Sequence, residues 1–114
     1  MILAASSTLA KQLQKLCKSK GIETINIVRR DEHIQILNDE IGSSKYVFNQ
    51  NHADFYTKLE TAIGDLNPSL IFECLGGDIP GKILERMPPL SEMIVYGDFS
   101  HTPLVINNNV FLFK

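Results

Sequence analysis

The chain has 114 residues, of which 44% are hydrophobic and 21% are charged, and its formal net charge is -2. This length suits one folded domain, and the charge excludes the strongly basic surface that nucleic acid or an anionic membrane would require. No apolar run approaches a membrane span, and the first residues lack a basic leader and a full apolar core, so we expect neither a transmembrane segment nor a signal peptide.

The cysteine and histidine content makes a zinc site improbable. Cys17 and Cys74 are far apart, neither lies in a C-x-x-C motif, and the three histidines are scattered along the chain. Two lone thiols in a domain of this size are typical of a reducing compartment. We therefore expect an intracellular protein, in the cytoplasm or the mitochondrial matrix.

Short apolar runs alternate with longer segments of helical spacing. The short runs predict strands at Ile2–Ala5, Thr24–Val28, Lys45–Phe48, Leu70–Glu73 and Met93–Tyr96, with a sixth candidate at Val110–Phe113. The longer segments predict four helices: from Leu9 to Lys20, from a cap at Asp31 to about Gly42, from a cap at Asn51 or Asp54 to Leu66, and from Ile79 to about Met87.

Strict alternation of strands and helices predicts an α/β fold with a parallel sheet. We expect a Rossmann-type doubly wound sheet of about six strands in the order 3-2-1-4-5-6, forming one NAD(P)-binding domain over residues 1–114. Ligands of such sheets bind beyond the carboxyl ends of the strands. The residues at these ends are Ala5–Leu9, Arg29–Arg30, Asn49–Gln50, Cys74–Gly77 and Tyr96–Phe99.

The turn after the first strand has the spacing of a dinucleotide-binding motif without its glycines. Ala5-x-Ser7-x-x-Ala10 stands where G-x-G-x-x-G is common. Small side chains are retained, Ser7 adds a hydroxyl, and the N–H groups at the start of the following helix can bind a phosphate. The alternative is an ordinary strand-to-helix turn in which Ser7 caps the helix.

The second strand ends at Arg29-Arg30, roughly 20 residues beyond this turn. An acidic residue at this place binds the ribose hydroxyls of NAD, whereas an arginine accommodates the 2′-phosphate of NADP. Guanidinium groups pair with phosphate through two hydrogen bonds. The pair therefore indicates NADP, although a solvated charged pair is the alternative interpretation.

Two further strand ends offer close backbone approach to a ligand. Gly76-Gly77 follows the fourth strand and Tyr96-Gly97 the fifth. Their alternatives are a simple turn and a core aromatic residue whose hydroxyl finds a partner. Cys74 has no base placed near it by the sequence, so a buried small residue is favoured over a nucleophile.

The segments AASSTLAKQLQKLCKSKG, INIVRR, FECLGG, MPP and IVYGDFS together resemble the coenzyme-binding domain of the medium-chain dehydrogenase/reductase superfamily. The resemblance spans Leu3 to Lys114 and is greatest to the zinc-free quinone reductase and 2-enoyl reductase branches. It implies NADPH as hydride donor and reduction of a quinone or an α,β-unsaturated carbonyl compound.

The resemblance also implies roles for individual residues. Ser7, Thr8 and Leu9 would contact the pyrophosphate, Arg29 and Arg30 the 2′-phosphate, and Gly76-Gly77 with Tyr96-Gly97 the nicotinamide side. The full set of candidate cofactor-binding residues is Ser6, Ser7, Thr8, Leu9, Arg29, Arg30, Cys74, Gly76, Gly77, Tyr96 and Gly97, with no metal ligand and no catalytic residue.

Members of this superfamily also have a catalytic domain that the 114 residues do not include, so we expect little or no turnover from this chain alone. The resemblance further implies a homodimer through the last strand, VFLFK. Two alternatives remain from the sequence: a non-catalytic Rossmann module that serves as a subunit or regulator, and a methyltransferase-like nucleotide binder. The arginine pair disfavours the latter, because such sites usually have an acid there.

Overall fold

The computed structural model describes residues 1–42, 45–97 and 100–113, with side chains described as far as Val110 in the last segment. Asp98 and Phe99, which end one of the predicted site segments, lie outside the described residues. The helices are α1 (Thr8–Ser19), α2 (Asp31–Glu40), α3 (Phe55–Leu66), α4 (Ile79–Arg86) and α5 (Asn108–Phe113), and the strands are β1 (Asn26–Val28), β2 (Val47–Asn49), β3 (Leu70–Glu73) and β4 (Glu92–Val95).

The strands form two parallel pairs, β1 with β2 and β3 with β4. Residues 1–5 run between the pairs, because Ile2 forms parallel bridges to both Asn26 and Phe72. The Ile2 N–H donates to Ile25 O at 2.8 Å, and the Leu3 N–H donates to Phe72 O at 3.0 Å. The spatial order is therefore β2, β1, the segment 1–5, β3 and β4. This confirms an α/β fold with parallel strands, consistent with a Rossmann-like domain.

The prediction of a sixth strand at Val110–Phe113 is wrong, because this segment belongs to helix α5. The preceding asparagine run starts the helix. The Asn107 side-chain oxygen accepts the Asn109 N–H at 2.9 Å, and the Asn107 carbonyl accepts the Val110 N–H at 3.0 Å. Asparagine side chains satisfy the free N–H groups of a helix start in this way. The predicted six-strand order is consequently not observed in the described part of the chain.

Helix α2 begins one residue earlier than expected. Its N-cap is Arg30 rather than Asp31, and Asp31 is the first helical residue. The Asp31 carboxylate accepts a hydrogen bond from the Asn49 amide at 3.0 Å and lies 2.7 Å from Nε2 of His52. Because the Asp31 carboxylate binds these two residues at the end of β2, it does not cap the start of α2.

The face of α1 that packs on the sheet was not evident from its apolar spacing. Ala10 and Gln14 are buried against the sheet, whereas Leu9 is 57% and Leu16 is 51% exposed. The polar side chain of Gln14 can be buried here because its amide donates hydrogen bonds to Ala5 O at 2.6 Å and to Ala10 O at 3.2 Å. The helix was predicted correctly, but its strongest apolar stripe does not form the core.

Two groups of buried side chains stabilise the fold. The larger one joins the sheet to α3 and α4 and includes Leu3, Ile27, Leu59, Ile71 and Ile83. The smaller one, which joins the sheet to α1 and α2, consists of Ile2, Ala5, Ala10, Val28 and Leu37. The helices therefore cover both faces of the sheet and leave the ends of the strands accessible. Among the described residues, no helix is both long and apolar enough to cross a membrane.

Candidate functional site

The opening turn combines a helix cap with unpartnered N–H groups. Ser7 is the N-cap of α1, and its hydroxyl oxygen accepts the Ala10 N–H at 3.3 Å. The capping role proposed as the alternative for Ser7 is therefore what this side chain does. The N–H groups of Thr8 and Leu9, in the first turn of α1, have no hydrogen-bond partner among the described residues. Such groups at a helix start favour a bound anion.

Small residues allow this turn to lie close to the sheet. Ala5 and Ala10 are 0% and 1% exposed, and the Ala5 N–H donates to Ile27 O at 2.9 Å. A larger side chain at either position would displace α1 from the sheet, since protein interiors are tightly packed. The two alanines thus provide the close helix-to-strand contact that glycine provides in the usual motif.

The Arg29-Arg30 pair lies beyond β1 with both side chains exposed. Neither guanidinium takes part in an ion pair within the described segments. The nearest acidic residue in the sequence, Asp31, is occupied by Asn49 and His52. The pair therefore presents two uncompensated positive charges at the carboxyl end of the sheet, which is where a phosphate group would be attracted.

Arg29 shares a small hollow with the glycine loop after β3. This hollow has a volume of about 150 Å³ and is lined by Arg29, Gln50, Leu75, Gly76, Gly77, Asp78, Ile79, Ser100 and Thr102. Gly76 and Gly77 both have positive φ angles, of 76° and 75°. Glycine adopts this conformation without the strain that a side chain would add. The two glycines thus let the loop turn tightly beside the arginine.

Tyr96 lies on the other side of the site, beside Ser7 and Cys74. Burial, followed by its interaction with Cys74, raises the pKa of Tyr96 well above its ordinary value, while an interaction with Ser7 acts in the opposite direction. Burial also raises the pKa of the Cys74 thiol, which is fully inaccessible. Both groups are thus neutral near pH 7, and Cys74 is a packed thiol rather than an activated nucleophile.

Gly97 lies close to the same cysteine. A Cβ atom at position 97 would lie 3.2 Å from the Cβ of Cys74, which is tighter than most such contacts. The end of β4 therefore packs directly on the end of β3 at this point. The structure thus arranges the predicted residues in two neighbouring groups, Arg29 with Gly76 and Gly77, and Ser7 with Cys74, Tyr96 and Gly97.

Two residues of this edge were not predicted from the sequence. Glu73 is fully buried at the end of β3 and binds loop N–H groups, and His33 lies 3.1 Å from the Ser6 hydroxyl through its Nδ1 atom. Glu73 belongs to a strand rather than to the loop after it, so its position does not mark it as a site residue. His33 falls three residues into α2, and no periodic pattern links it to Ser6.

A larger hollow lies at the opposite end of the strands. It has a volume of about 370 Å³, and its lining includes Lys18, Asn26 and Lys45 but none of the predicted site residues. Size alone would favour it as the ligand site. Topology favours the carboxyl edge instead, where loops from different strands meet. In the part of the chain that the structure describes, no group of three potential metal ligands occurs.

Fold and site together define an α/β domain with parallel strands whose loops meet at the carboxyl ends of the strands, and sequence comparison narrows this class. No family model matches the chain. It is 26% identical over 119 residues to the mitochondrial enoyl-[acyl-carrier-protein] reductase of Saccharomyces cerevisiae, with 97% of this chain and 31% of the relative covered. It is 28% identical over 115 residues to the mitochondrial enzyme of the same name from Arabidopsis thaliana, with 96% of this chain and 30% of the relative covered. It is 25% identical over 119 residues to an NADPH quinone oxidoreductase of Kluyveromyces marxianus, with 97% and 31% covered.

Solved structures show the same relationship. A Mesorhizobium loti protein assigned to the NADPH:quinone reductases superposes with a TM-score of 0.86 at 29% identity, covering 97% of this chain and 32% of that one. A mitochondrial 2-enoyl thioester reductase heterodimer from Candida tropicalis gives a TM-score of 0.82 at 20% identity, covering 99% of this chain and 33% of that one, and supports the fold. The predicted resemblance to quinone and enoyl reductases of the medium-chain superfamily is confirmed. The chain spans about a third of the length of these relatives.

Proposed function

We propose that this chain is the NADPH-binding domain of an oxidoreductase that reduces a quinone or an α,β-unsaturated carbonyl compound, such as an enoyl thioester. The main observation is the unpaired Arg29-Arg30 pair beyond β1, with Arg29 lining a hollow beside Gly76 and Gly77. The names of the relatives, NADPH quinone oxidoreductase and enoyl reductase, support the cofactor and the reaction class.

The opening turn is assigned to the pyrophosphate. The free N–H groups of Thr8 and Leu9 would donate to its oxygens, with the positive end of α1 behind them. The Ser7 hydroxyl, whose oxygen accepts the Ala10 N–H and which also interacts with Tyr96, would turn its proton from Tyr96 to a phosphate oxygen. Ser6 would be held toward the same region by His33.

Arg29, Arg30 and the Gly76-Gly77 loop are assigned to the adenosine 2′-phosphate end. This differs from the initial expectation that the glycine pair lines the nicotinamide side. The reason is the shared hollow, which has only about 150 Å³ and places the loop beside Arg29. The nicotinamide side is then assigned to Tyr96-Gly97 above β4, with Cys74 packed beneath it.

When bound, NADPH supplies the hydride. The residues of this chain would bind and orient the cofactor. Cys74 is buried and Tyr96 is half-buried, and both are neutral, so neither acts as an acid or a base. The chain spans about a third of the length of the reductases to which it is similar. We therefore propose that the substrate pocket comes from a further domain or subunit and that this chain alone turns over little substrate.

We also propose that the domain self-associates. In the segment VFLFK, which was expected to form the dimer strand, the described residues Val110–Phe113 are helical and do not offer a strand for pairing. Within the described residues β2 and β4 are the two outer strands, and on β4 the side chains of Ile94 and Val95 are 43% and 53% exposed. An exposed apolar edge strand is a template for pairing with a second strand. Pairing through β4 is therefore the form of dimer that the structure favours.

Calorimetry with NADPH and NADH tests the cofactor assignment. We expect the parent chain to bind NADPH at least tenfold more tightly, since a charge-assisted hydrogen bond contributes about 1.5–3 kcal/mol. Arg29→Ala should remove most of this preference and Arg30→Ala part of it. Lys15→Ala, which removes an exposed positive charge from α1, is the matched control and should change neither affinity. Equal affinity of the parent for the two cofactors would contradict the assignment.

A further inference from the structure

Glu73 is a buried carboxylate that has no place in the function proposed above. It is the last residue of β3, and its side chain is 0% exposed. A carboxylate in such a position is costly unless its oxygens are hydrogen-bonded. Its surroundings therefore indicate what it does for the fold or for the site.

One carboxylate oxygen of Glu73 binds the backbone of the following loop. Oε1 accepts the N–H groups of both Leu75 and Gly76, the latter at 3.0 Å. The second oxygen, Oε2, is buried and has no partner among the described residues. The hydrogen bonds that Glu73 accepts thus come from two successive backbone amides rather than from a cation or a neighbouring side chain.

The same loop is bound on its far side by residues 100–105. The Gly77 N–H donates to Thr102 O at 3.2 Å and to Pro103 O at 3.1 Å, and Gly77 O accepts the Val105 N–H at 2.9 Å. The loop is therefore fixed between the Glu73 carboxylate beneath it and an extended segment beside it. In this position Leu75, Gly76 and Gly77 form one wall of the hollow that Arg29 also lines.

We propose that Glu73 is a positioning residue for nucleotide binding, which fixes the Leu75–Gly77 wall at the distance from Arg29 that the adenosine 2′-phosphate end requires. This inference rests on the proposed function, since it assigns a task within the same site. Glu73 acts through the loop backbone and does not contact the cofactor. Its carboxylate is required because two N–H groups donate to the same oxygen. A charged oxygen accepts such hydrogen bonds more strongly than a neutral one.

The test compares Glu73→Gln with the parent chain. The amide has the same shape and keeps one acceptor oxygen but loses the charge. We expect the affinity for NADPH and for 2′,5′-ADP, which is the adenosine half of NADPH, to fall by a similar factor of about tenfold. Glu92→Gln, which makes the same change at an exposed position on β4, is the control and should leave both affinities unchanged.

Amide hydrogen exchange without ligand separates a local role from a general structural one. In Glu73→Gln the amides of Leu75 and Gly76 should exchange about tenfold faster, whereas those of Ile27 and Phe72 in the sheet should keep the parent rates. Glu73→Asp retains the charge on a shorter side chain and should restore part of the affinity. If the glutamine variant does not fold, the aspartate variant, whose shorter side chain reaches the two amides less well, should show a smaller fall in both affinities and faster exchange of Leu75 and Gly76 than the parent.

The outcomes distinguish this inference from the proposed function. If the parent binds neither NADPH nor 2′,5′-ADP, the proposed function fails and the role of Glu73 fails with it. If the parent binds both but Glu73→Gln binds them equally well, only the positioning role is overturned. Faster exchange of Ile27 and Phe72, or a loss of NADPH affinity without a loss of 2′,5′-ADP affinity, would also overturn it.

Discussion

The Ser6 hydroxyl and Nδ1 of His33 are 3.1 Å apart, so a hydrogen bond joins the opening turn to the first turn of α2. The two residues are 27 positions apart in sequence. The bond crosses the carboxyl end of the sheet between the proposed pyrophosphate site and the proposed 2′-phosphate site. It therefore couples the positions of the two segments that would hold the phosphates of one ligand.

His33→Ala should weaken NADPH binding about two- to tenfold, because one side-chain hydrogen bond contributes about 0.5–1.5 kcal/mol. The opening turn would lose its connection to α2 without losing the Ser7 cap. Calorimetry measures the change, and Gln35→Ala serves as the control, since the Gln35 amide donates to Asp39 within α2 rather than contacting the turn. An unaltered affinity in the His33 variant would show that the coupling has no part in binding.

Gly81 and Gly64 form a matched pair for testing helix packing. A Cβ at position 81 would overlap the carbonyl oxygen of Val105, whereas a Cβ at position 64 would meet no atom within 4 Å. Gly81→Ala should therefore lower the free energy of unfolding by about 1–3 kcal/mol. Gly64→Ala, in the exposed part of α3, should raise it by about 0.5–1 kcal/mol. Urea unfolding gives both values, and a shift of the same sign in the two variants would contradict the packing of α4 on residues 105–106.

The amino group of Met1 makes stability depend on pH in the 114-residue polypeptide. This group donates to Leu70 O at 2.8 Å, and burial lowers its pKa from 8.0 to about 6. Between these values the unfolded chain holds more protons than the folded one, so stability rises as pH increases from 6 to 8. A pKa difference of two units between the unfolded and folded chain raises the free energy of unfolding by about 2–3 kcal/mol over this pH range.

Unfolding free energies at pH 5.5 and pH 8.5 measure this gain. Acetylation of the amino group, which removes its charge at both pH values, should abolish that part of the difference. If the acetylated and free chains gave the same dependence on pH, the buried amine would not be its source.

Self-association through β4 is expected to be sensitive to charge at Ile94. Ile94→Lys would place a positive charge on the apolar edge, and two such charges would face each other across a symmetric interface. We expect the parent chain to sediment as a dimer and the variant as a monomer. Val105→Lys, at a residue that is 57% exposed and lies outside the strand, is the control. A parent chain that stays monomeric at high concentration would overturn the proposal.

Much of the architecture was predictable because local chemistry and long-range packing agree. The α3 helix was predicted to end at Leu66 before Asn67-Pro68, and Asn67 does adopt the left-handed conformation at its end, with a φ of 47°. The β3 bounds Leu70–Glu73 were likewise predicted correctly. In these elements the apolar pattern and the terminating residues specify the same limits.

The remaining features depend on contacts that no local pattern encodes. VFLFK has the composition of a strand, yet the asparagine run before it provides helix-starting hydrogen bonds, and these decide the outcome. The burial of Gln14 in place of Leu16 depends on a carbonyl group presented by Ala5. In the site, Arg29 could be recognised by its position after a strand, whereas Glu73 could be recognised only from the loop amides that converge on it.

Residues 1–5, which occupy the middle of the sheet, have a consequence for how the chain folds. Their backbone partners are residues 25–27 and 70–72, so residues 1–5 gain their last contacts only after some 70 following residues exist. Closing loops of this length slows folding, and the half formed by β1 and β2 remains without its neighbour until then. During synthesis on the ribosome, the part of this domain that contains β1 and β2 therefore stays partly assembled until β3 has emerged.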